Sequence, residues 1–344
     1  MKAKRITTIL GLLISAALLY FFLKGIPFAE MKEALQSFQY AYLVPCVVVY
    51  LSSFLVRAAR WQILLAPLKR IRFTSSFEVI MISWMANNLL PARMGEFVRA
   101  FVIGKKESVS ATGSFATVVL ERVFDGITLV AFLAFCLVTT GLRSSMKTHT
   151  GAFDPQQVGI LAGVIFFAAL SFLFLLFLKE QWALWLVDFF LKPLPDAVGG
   201  KIRALIQAFA SGLACLRSMK AFLGVMGLSI LVWICEGGTF YLLSLGFRME
   251  VPASSSLFVL SILNLGIMIP SSPGFIGTFE FFASESLALY GVEEVLAKSL
   301  ALLAHGIQLV PVTLLGLAFL WREGLRLSSI SRKETLPKTE GSSP

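Results

Sequence analysis

The stretch NNLLPARMGEFVRAF, residues 87–101, decides how this chain folds. Pro91 and Gly95 interrupt helices, and one carboxylate and two arginines accompany them. The sequence on either side is strongly apolar. Irregular backbone and charge are tolerated at membrane depth only where protein or a water-filled cavity surrounds them. The stretch therefore predicts a broken helix that faces a polar centre inside a membrane protein.

The composition of the chain is that of an integral membrane protein. Of its 344 residues, 57% are hydrophobic and 15% are charged, and the mean hydropathy is +0.82. A soluble domain carries about 25% charged residues. A span needs about 20 apolar residues, and six full spans are expected, near residues 6–23, 40–64, 112–138, 157–178, 220–247 and 297–320. We expect one transmembrane domain over residues 1–325 and a polar, disordered cytoplasmic tail over 326–344.

The distribution of basic residues predicts the orientation of the chain. With the N-terminus inside, 19 of the 30 lysines and arginines fall in cytoplasmic stretches and six fall in outer ones. Because cytoplasmic loops carry the excess of basic residues, both termini are expected on the cytoplasmic side of the cytoplasmic membrane. The amphipathic segment 179–219 should lie along the same interface. The net charge of +10 therefore indicates topology and affinity for anionic lipid, not nucleic-acid binding.

Two apolar regions, 74–103 and 253–290, are each split by prolines and glycines into arms too short to cross a membrane. Basic residues flank the first region at both ends, which places both ends in the cytoplasm. Mixed charges flank the second region, as suits the outer face. The two regions should therefore form re-entrant hairpins that enter from opposite sides and turn towards a shared polar centre.

An internal repeat relates residues 40–138 to residues 220–320, since each half contains a span, a broken hairpin and a span. Both hairpins have the same order of residue types, as Asn88, Pro91, Gly95 and Glu96 against Asn264, Pro270, Gly274 and Glu280. Arg57 and Glu236 each lie 34 residues before the first proline of their hairpin. The predicted fold is an all-α polytopic bundle with two re-entrant hairpins in an inverted repeat, a design known from transporters.

Charged residues within a predicted span indicate a polar site. LERVFDG places Glu121 and Asp125 on one helical face, with Arg122 between them. Intramembrane charges are functional by default but almost always paired, so a salt bridge between helices fits this motif as well as a binding role. Arginines suit phosphate, and short helices that begin near Gly95 and Gly274 would aim amides at an anion. A phosphate-bearing substrate is expected.

The predicted substrate-binding residues are Asn88, Arg93, Glu96, Arg99, Glu121, Arg122, Asp125, Glu236, Asn264, Gly274, Glu280 and His305. The predicted helix breaks are Pro91, Gly95, Pro270, Pro273 and Gly277. His305 is either a proton acceptor or a hydrogen-bonded packing residue. Arg57 and Arg60 lie near the end of their predicted span and are assigned to snorkelling. No metal site, catalytic residue or cofactor is expected, because the sequence lacks paired cysteine spacing, nucleotide-binding loops and a nucleophile elbow.

Four motifs, RAARW, NNLLPARMGEFVRAF, LERVFDG and PSSPGFIGTFE, together resemble the lysylphosphatidylglycerol synthase transmembrane region, or flippase-like integral membrane family, over residues 10–322. In its bifunctional members a membrane half moves aminoacylated phosphatidylglycerol and a cytosolic half synthesises it. We expect a stand-alone member without the synthase half. The second hairpin has PSSPGFIG where many relatives have a more glycine-rich turn.

The resemblance implies a lipid translocase, not an enzyme, that moves a phospholipid or a polyprenyl-phosphate-linked lipid across the cytoplasmic membrane. Three alternatives stay open from the sequence. The protein could be an ion-coupled transporter of a small solute, or a membrane enzyme acting on a lipid headgroup, although no nucleophile or metal site supports the latter. It could also be the membrane partner of a separate lipid-modifying enzyme.

Overall fold

A computed structural model describes residues 2–25, 27–91, 93–139, 218–269 and 271–325, with side chains described from residue 9 onward. Within these ranges the chain forms helices and no β-strand, so the predicted all-α polytopic bundle is confirmed. Pro270, the predicted span near 157–178, the predicted interfacial segment and the predicted tail lie outside the described residues.

Ten α-helices follow one another in the described ranges. They are α1 (Lys2–Leu23), α2 (Phe28–Ser37), α3 (Leu43–Leu65), α4 (Phe73–Leu89), α5 (Gly95–Glu107), α6 (Ala111–Thr139), α7 (Met219–Gly246), α8 (Ala253–Gly266), α9 (Thr278–Ala288) and α10 (Glu294–Arg322). Short 3₁₀ turns at Tyr40–Tyr42 and Pro273–Phe275 precede α3 and α9.

In the described part of the chain, four helices are long and apolar enough to cross a membrane. They are α3 with its preceding 3₁₀ turn, α6, α7 and α10, and they match four of the predicted spans. The span expected near 6–23 falls within α1, which meets α2 at an angle of 81°. Large apolar side chains such as Val44, Val138 and Leu314 are exposed, as expected for surfaces that face lipid.

Both broken regions fold as pairs of packed helices, α4 with α5 and α8 with α9. Gly95 permits the first close crossing, because a Cβ atom there would lie 2.0 Å from the Ser83 carbonyl oxygen. In the second break Gly274 and Gly277 adopt φ angles of +67° and +86°, which side-chain-bearing residues rarely adopt. A Cβ atom on Gly277 would also lie 2.4 Å from the Ser15 carbonyl oxygen.

The helices of the two halves pack in matching pairs. The contact of α4 with α10 has its counterpart in α8 with α6, and that of α5 with α6 has its counterpart in α9 with α10. Helices α3 and α7 are the first spans of the two halves, and they pack extensively against each other. The predicted internal repeat would produce this pattern of contacts. The opposite orientation of the two halves in the bilayer stays a prediction.

Candidate functional site

A network of buried charges occupies the centre of the bundle, and α3 supplies its core. Arg60 donates a hydrogen bond of 2.5 Å to Asp125 and lies 3.2 Å from a carboxylate oxygen of Glu121. Arg57 forms an ion pair with Glu236 and lies 3.7 Å from Asp125. Both arginines are 0% exposed. The assignment of these two residues to snorkelling is therefore wrong, since their charged ends point into the bundle.

Two tryptophans flank this core, and one of them donates a hydrogen bond to it. The Trp233 indole N–H donates to Asp125 over 3.1 Å. The Arg57 guanidinium lies between Trp84 and Trp233, at 5.0 and 5.1 Å from the ring centroids. Arg60 also donates to the Ser229 hydroxyl over 2.8 Å. These partners reduce the cost of burying full charges, which is high for an unpaired ion.

The network extends to the first hairpin through Arg99 on α5. Its guanidinium makes two hydrogen bonds, of 2.8 and 3.0 Å, to the two carboxylate oxygens of Glu121. It also stacks on Trp61, with 3.8 Å between the guanidinium carbon and the ring centroid. Glu121 thus joins α5 to α3 and α6, and the i, i+4 spacing correctly placed Glu121 and Asp125 together, both within reach of Arg60.

The network has a partly exposed end at the first helix break. Arg122 is 32% exposed there and lies 3.7 Å from Glu96, which is 19% exposed. Its Nε atom makes no hydrogen bond to any residue that the structure describes. Arg93 interacts electrostatically with both Glu96 and Arg122, and it donates a hydrogen bond of 2.8 Å to the Ile267 carbonyl of the other hairpin.

The charges of this network do not balance. Its members are the arginines Arg57, Arg60, Arg93, Arg99 and Arg122 and the carboxylates Glu96, Glu121, Asp125 and Glu236. Five arginines face four carboxylates, which leaves a formal excess of one positive charge. The fully buried arginines have close carboxylate partners, so the excess lies at the partly exposed end.

The second hairpin holds a different kind of polar centre. His305 on α10 contacts the Glu280 carboxylate through Nδ1 at 2.6 Å and the Gly274 carbonyl through Nε2 at 2.7 Å. The Gly277 N–H donates to the other Glu280 oxygen over 2.7 Å. The imidazole stacks on Phe279, with 4.4 Å between the ring centroids. His305 therefore connects α10 to the loop that interrupts the hairpin.

The two short helices begin differently from the prediction in one respect. Helix α5 begins at Gly95 as expected, but α9 begins at Thr278 and not near Gly274. The reason is the positive φ of Gly274 and Gly277, which is incompatible with a continuous helix. The amides of Gly95 and Gly277 already donate to the side chains of Asn87 and Glu280, so neither is free for an anion.

A narrow cavity of about 30 Å³ lies between the two hairpins, with room for about two or three water molecules. Its polar lining residues come from both halves and are Tyr50, Asn88, Glu236, Asn264, His305 and Gln308. Asn88 donates to the Thr313 hydroxyl and Asn264 donates to the Leu260 carbonyl. Gln308 Nε2 has no hydrogen-bond partner among the described residues. Glu236 belongs to both the cavity and the charge network.

A second ion cluster, which the sequence analysis did not predict, joins the ends of α4, α5 and α10. Lys106 lies 2.5 Å from Glu323 and also pairs with Glu78, which in turn pairs with Arg322. Burial alone would lower the pKa of Lys106, but the neighbouring Glu323 and Glu78 carboxylates raise it above its ordinary value. This cluster ties the end of the first hairpin to the last helix.

Comparison with known proteins places the chain in a family. Residues 8–316 match the family described as the lysylphosphatidylglycerol synthase TM region. Glycosyltransferase AglD of Haloferax volcanii is 27% identical over 89% of this chain and 52% of its own length. A UPF0104 membrane protein of Methanothermobacter thermautotrophicus is 24% identical over 88% of this chain and 91% of its own length.

A further UPF0104 membrane protein, from Pyrococcus horikoshii, is 28% identical over 80% of this chain and 85% of its own length. The chain thus spans about half the length of AglD and most of the length of the two UPF0104 relatives. No solved structure matches it. Since the family match covers all the described helices except the ends of the first and the last, the chain belongs to the lysylphosphatidylglycerol synthase transmembrane-region family.

Proposed function

We propose that this protein moves a phosphate-bearing lipid across the cytoplasmic membrane. The single observation that carries the proposal is the partly exposed, cationic end of the buried charge network at the first helix break. Arg93 and Arg122 there share one partly exposed carboxylate, Glu96. Arg122 also lies 3.3 Å from Glu121 and 3.5 Å from Asp125, but these two carboxylates are the partners of the buried Arg99 and Arg60. Arg122 Nε is without a hydrogen-bond partner among the described residues. A phosphate would supply the missing acceptor and the missing negative charge.

Geometry favours an exchange of Glu96 for phosphate at this point. The closest contact between Arg122 and Glu96 is 3.7 Å, longer than a hydrogen bond. Arginine guanidinium groups bind phosphate with two parallel hydrogen bonds. A phosphate between Arg93 and Arg122 would therefore bind more tightly than the Glu96 carboxylate does now, and Glu96 would be released towards solvent.

The inner arginines have a supporting part in this proposal. Arg57, Arg60 and Arg99 are at most 1% exposed and have carboxylate partners within hydrogen-bond distance. Releasing one of them to a substrate would leave a buried carboxylate unpaired, which is costly. Arg99, Glu121 and Asp125, predicted as substrate-binding residues, would thus hold the helices that carry the phosphate site.

Apolar side chains flank both breaks on their outer side. Leu89 and Phe97 are exposed near the first break, and Met268, Ile269 and Ile276 are exposed near the second. A lipid could therefore keep its acyl or prenyl chains against these side chains in the bilayer while its headgroup enters between the hairpins. Because the cavity now holds only a few waters, headgroup passage requires the hairpins to separate.

The proposal is tested by lipid movement in proteoliposomes that contain only this protein. Fluorescent phosphatidylglycerol, polyprenyl phosphate and phosphatidylcholine are compared, with a membrane-impermeant quencher reporting the outer leaflet. We expect faster movement of at least one lipid that carries net negative charge. Arg122→Gln should slow that movement by roughly ten- to a hundredfold, since a charge-assisted hydrogen bond contributes about 1.5–3 kcal/mol.

Arg70→Gln is the matched control, because Arg70 is an exposed arginine in the loop before α4. It should leave the rate unchanged. If no anionic or prenyl-phosphate lipid moves faster with protein than without it, the proposed function is wrong.

A second candidate is a membrane module that serves a separate lipid-modifying enzyme. The similarity to AglD, named a glycosyltransferase and about twice as long as the matched region, favours it. The same proteoliposomes separate the two candidates. Lipid movement by this protein alone supports the translocase, whereas movement or modification that requires a second protein supports the module.

A further inference from the structure

The Glu280–His305 pair contains a proton whose position the surrounding groups restrict. Nε2 of His305 faces the Gly274 carbonyl at 2.7 Å, and Nδ1 faces a Glu280 oxygen at 2.6 Å. A carbonyl oxygen only accepts hydrogen bonds, so Nε2 must carry a hydrogen. A second hydrogen must then lie between Nδ1 and the carboxylate, on one atom or the other.

Both arrangements of the second hydrogen give the pair the same formal charge. An imidazolium beside a carboxylate is neutral overall, and a neutral imidazole beside a carboxylic acid is neutral as well. Loss of that hydrogen leaves a net negative charge in a buried site. The ring nitrogen without a hydrogen then faces another acceptor, which is the Glu280 carboxylate at Nδ1 or the Gly274 carbonyl at Nε2. One of the two contacts of His305 must then break, since a neutral imidazole carries a single N–H.

We propose that Glu280 and His305 form a proton-dependent latch that keeps the second hairpin closed and opens it when the shared proton leaves. The inference rests on the proposed function in one respect, because an opening hairpin would couple lipid movement to proton movement. The step is balanced: the N–H or O–H bond of the shared hydrogen breaks, and the proton passes to water in the cavity between the hairpins. The pair is left as neutral imidazole and carboxylate.

The groups around His305 leave Glu280 as its one close titratable partner among the described residues. Helix α3 contributes Tyr50, whose hydroxyl donates to the Gln308 carbonyl over 3.3 Å. Helix α7 contributes Glu236, which lines the same cavity but is paired with Arg57. Helix α4 faces the cavity with Trp84 and Asn88, neither of which titrates.

The other charged residues of the elements around α10 point elsewhere. On α2 they are Glu30, Lys32 and Glu33, all exposed. Glu285 on α9 is also exposed. On α10 itself, Lys298 pairs with Glu294 and Arg322 pairs with Glu78 on α4. None of these groups offers His305 an alternative partner.

The latch acts on the segment that joins the two arms of the second hairpin. His305 holds the carbonyl of Gly274, and Glu280 holds the amide of Gly277. These two glycines have positive φ and delimit the segment that joins the two arms of the hairpin. Release of His305 from either partner would free this segment from α10 without disturbing the ion pairs of the first half.

Glu280→Gln is the informative variant. Its amide nitrogen can donate to Nδ1 of a neutral His305, and its oxygen can still accept from the Gly277 amide. The variant therefore reproduces the protonated latch but has no proton to lose. Glu285→Gln is the matched control, because it is the same substitution at an exposed position of the same helix.

The experiment measures hydrogen exchange of the backbone amides of the non-proline residues in 271–277, in lipid nanodiscs from pH 5 to pH 9. Exchange of the wild type is divided by that of Glu280→Gln at each pH, which cancels the intrinsic effect of pH. Over the pH range in which the closed pair holds its proton and the opened pair has lost it, the ratio should rise about tenfold per pH unit, since opening then releases one proton. Glu285→Gln should show the same rise.

A ratio that stays constant over this range overturns the latch, whether or not the protein moves lipid. A rising ratio without any lipid movement supports the latch and contradicts the proposed function, so the two failures are distinguishable. If Glu280→Gln does not fold, His305→Gln replaces it as the reference. It has no titratable imidazole, so the wild-type ratio to it should also rise with pH and a constant ratio overturns the latch.

Discussion

The two hairpins use corresponding positions for different chemistry. In the first half, the break is followed by Glu96 and Arg99, and both residues join a network of arginines and carboxylates. In the second half, the corresponding carboxylate is Glu280, and its partner is a single histidine on α10. Arginine does not deprotonate in proteins, whereas a histidine–carboxylate pair holds a proton that it can lose.

This difference indicates a division of labour between the halves. Permanent charges with several partners each make the first hairpin a fixed part of the bundle and leave a cationic end beside it. The break of the second hairpin is held to α10 by one histidine–carboxylate pair, which can lose a proton, and contains two glycines with positive φ. We therefore expect the first hairpin to bind the headgroup and the second to move.

The largest expected effect comes from breaking the network of the first half. Arg60→Met keeps much of the side-chain volume but leaves Asp125 without its closest partner. Removing one member of a buried ion pair costs about 3–5 kcal/mol. Thermal unfolding in detergent or nanodiscs should show a large loss of stability. Glu280→Gln, which retains its hydrogen bonds, should cost far less, and equal losses would contradict the contrast between the halves.

Swapping the residue types of Arg57 and Glu236 tests the ion pair that joins the two halves. The two residues lie at corresponding positions and form an ion pair between α3 and α7. Arg57→Glu alone should destabilise the protein by several kcal/mol, because it creates facing carboxylates in a buried site. The double variant Arg57→Glu, Glu236→Arg should recover part of that loss, since it restores the pair.

The recovery should be incomplete, because Arg57 also contacts Asp125 and the tryptophans of α4 and α7. Denaturation of the wild type, both single variants and the double variant gives the coupling between the two sites. Additive effects would show that the two residues do not interact and would contradict the pairing.

Glycine substitutions compare the two breaks directly. Gly95→Ala would place a methyl group 2.0 Å from the Ser83 carbonyl oxygen, and Gly277→Ala would combine a contact of 2.4 Å with a φ of +86°. Each should cost about 1–3 kcal/mol from overpacking and strain. Gly306→Ala is the control, because nothing lies within 4 Å of its added Cβ. In a helix it should be neutral or stabilising by up to about 1 kcal/mol.

Much of the fold follows from patterns that the sequence displays locally. The apolar runs predicted α3, α6, α7 and α10, and the clusters of proline and glycine predicted two packed helix pairs. The i, i+4 spacing of Glu121 and Asp125 placed both on the face that meets Arg60. These signals succeed because helical periodicity and the length of a span depend only on neighbouring residues.

The partners of the buried charges are not local, and there the prediction failed. Arg57 and Arg60 are near the end of an apolar run, which favours snorkelling. Whether their side chains are buried, however, depends on which helices pack against α3, and those helices are far away in sequence. Arg57 pairs with a residue 179 positions away. The equal distances of Arg57 and Glu236 from their hairpin prolines were the one available signal. Residues that occupy corresponding positions in a repeat can meet where its two halves pack together.

His305 shows the same limit at shorter range. The sequence left its role open between a proton acceptor and a hydrogen-bonded packing residue, and the structure pairs the imidazole with Glu280 and the Gly274 carbonyl. The predicted start of α9, near Gly274, is too early for a related reason. A helix boundary near two glycines depends on whether each takes a positive φ. Here both do, and Gly274 packs against α10 while Gly277 packs against α1.

The smallest expected effect concerns the far end of the first hairpin, where Lys106 joins α5 to α10. The folded pKa of Lys106 is raised above the ordinary value of 10.5 by the Glu323 and Glu78 carboxylates, against the lowering effect of burial. Its contribution to stability is therefore fully present below the ordinary pKa and is lost as the pH rises through the folded pKa. Lys106→Met removes that contribution at every pH.

The difference in unfolding temperature between the wild type and Lys106→Met should thus be constant up to about pH 10 and shrink at higher pH. Lys106 should contribute at most about 1 kcal/mol to the free energy of unfolding, because its ion pairs are partly exposed and solvent screens them. Lys69→Met is the control, since Lys69 pairs with Glu107 at a more exposed position nearby. If the difference in unfolding temperature between the wild type and Lys106→Met grew above pH 10, the Lys106 cluster would not stabilise the contact of α5 with α10. The contribution of fixed charges to the anchoring of the first hairpin would then come from the buried network around Glu121 and not from the Lys106 cluster.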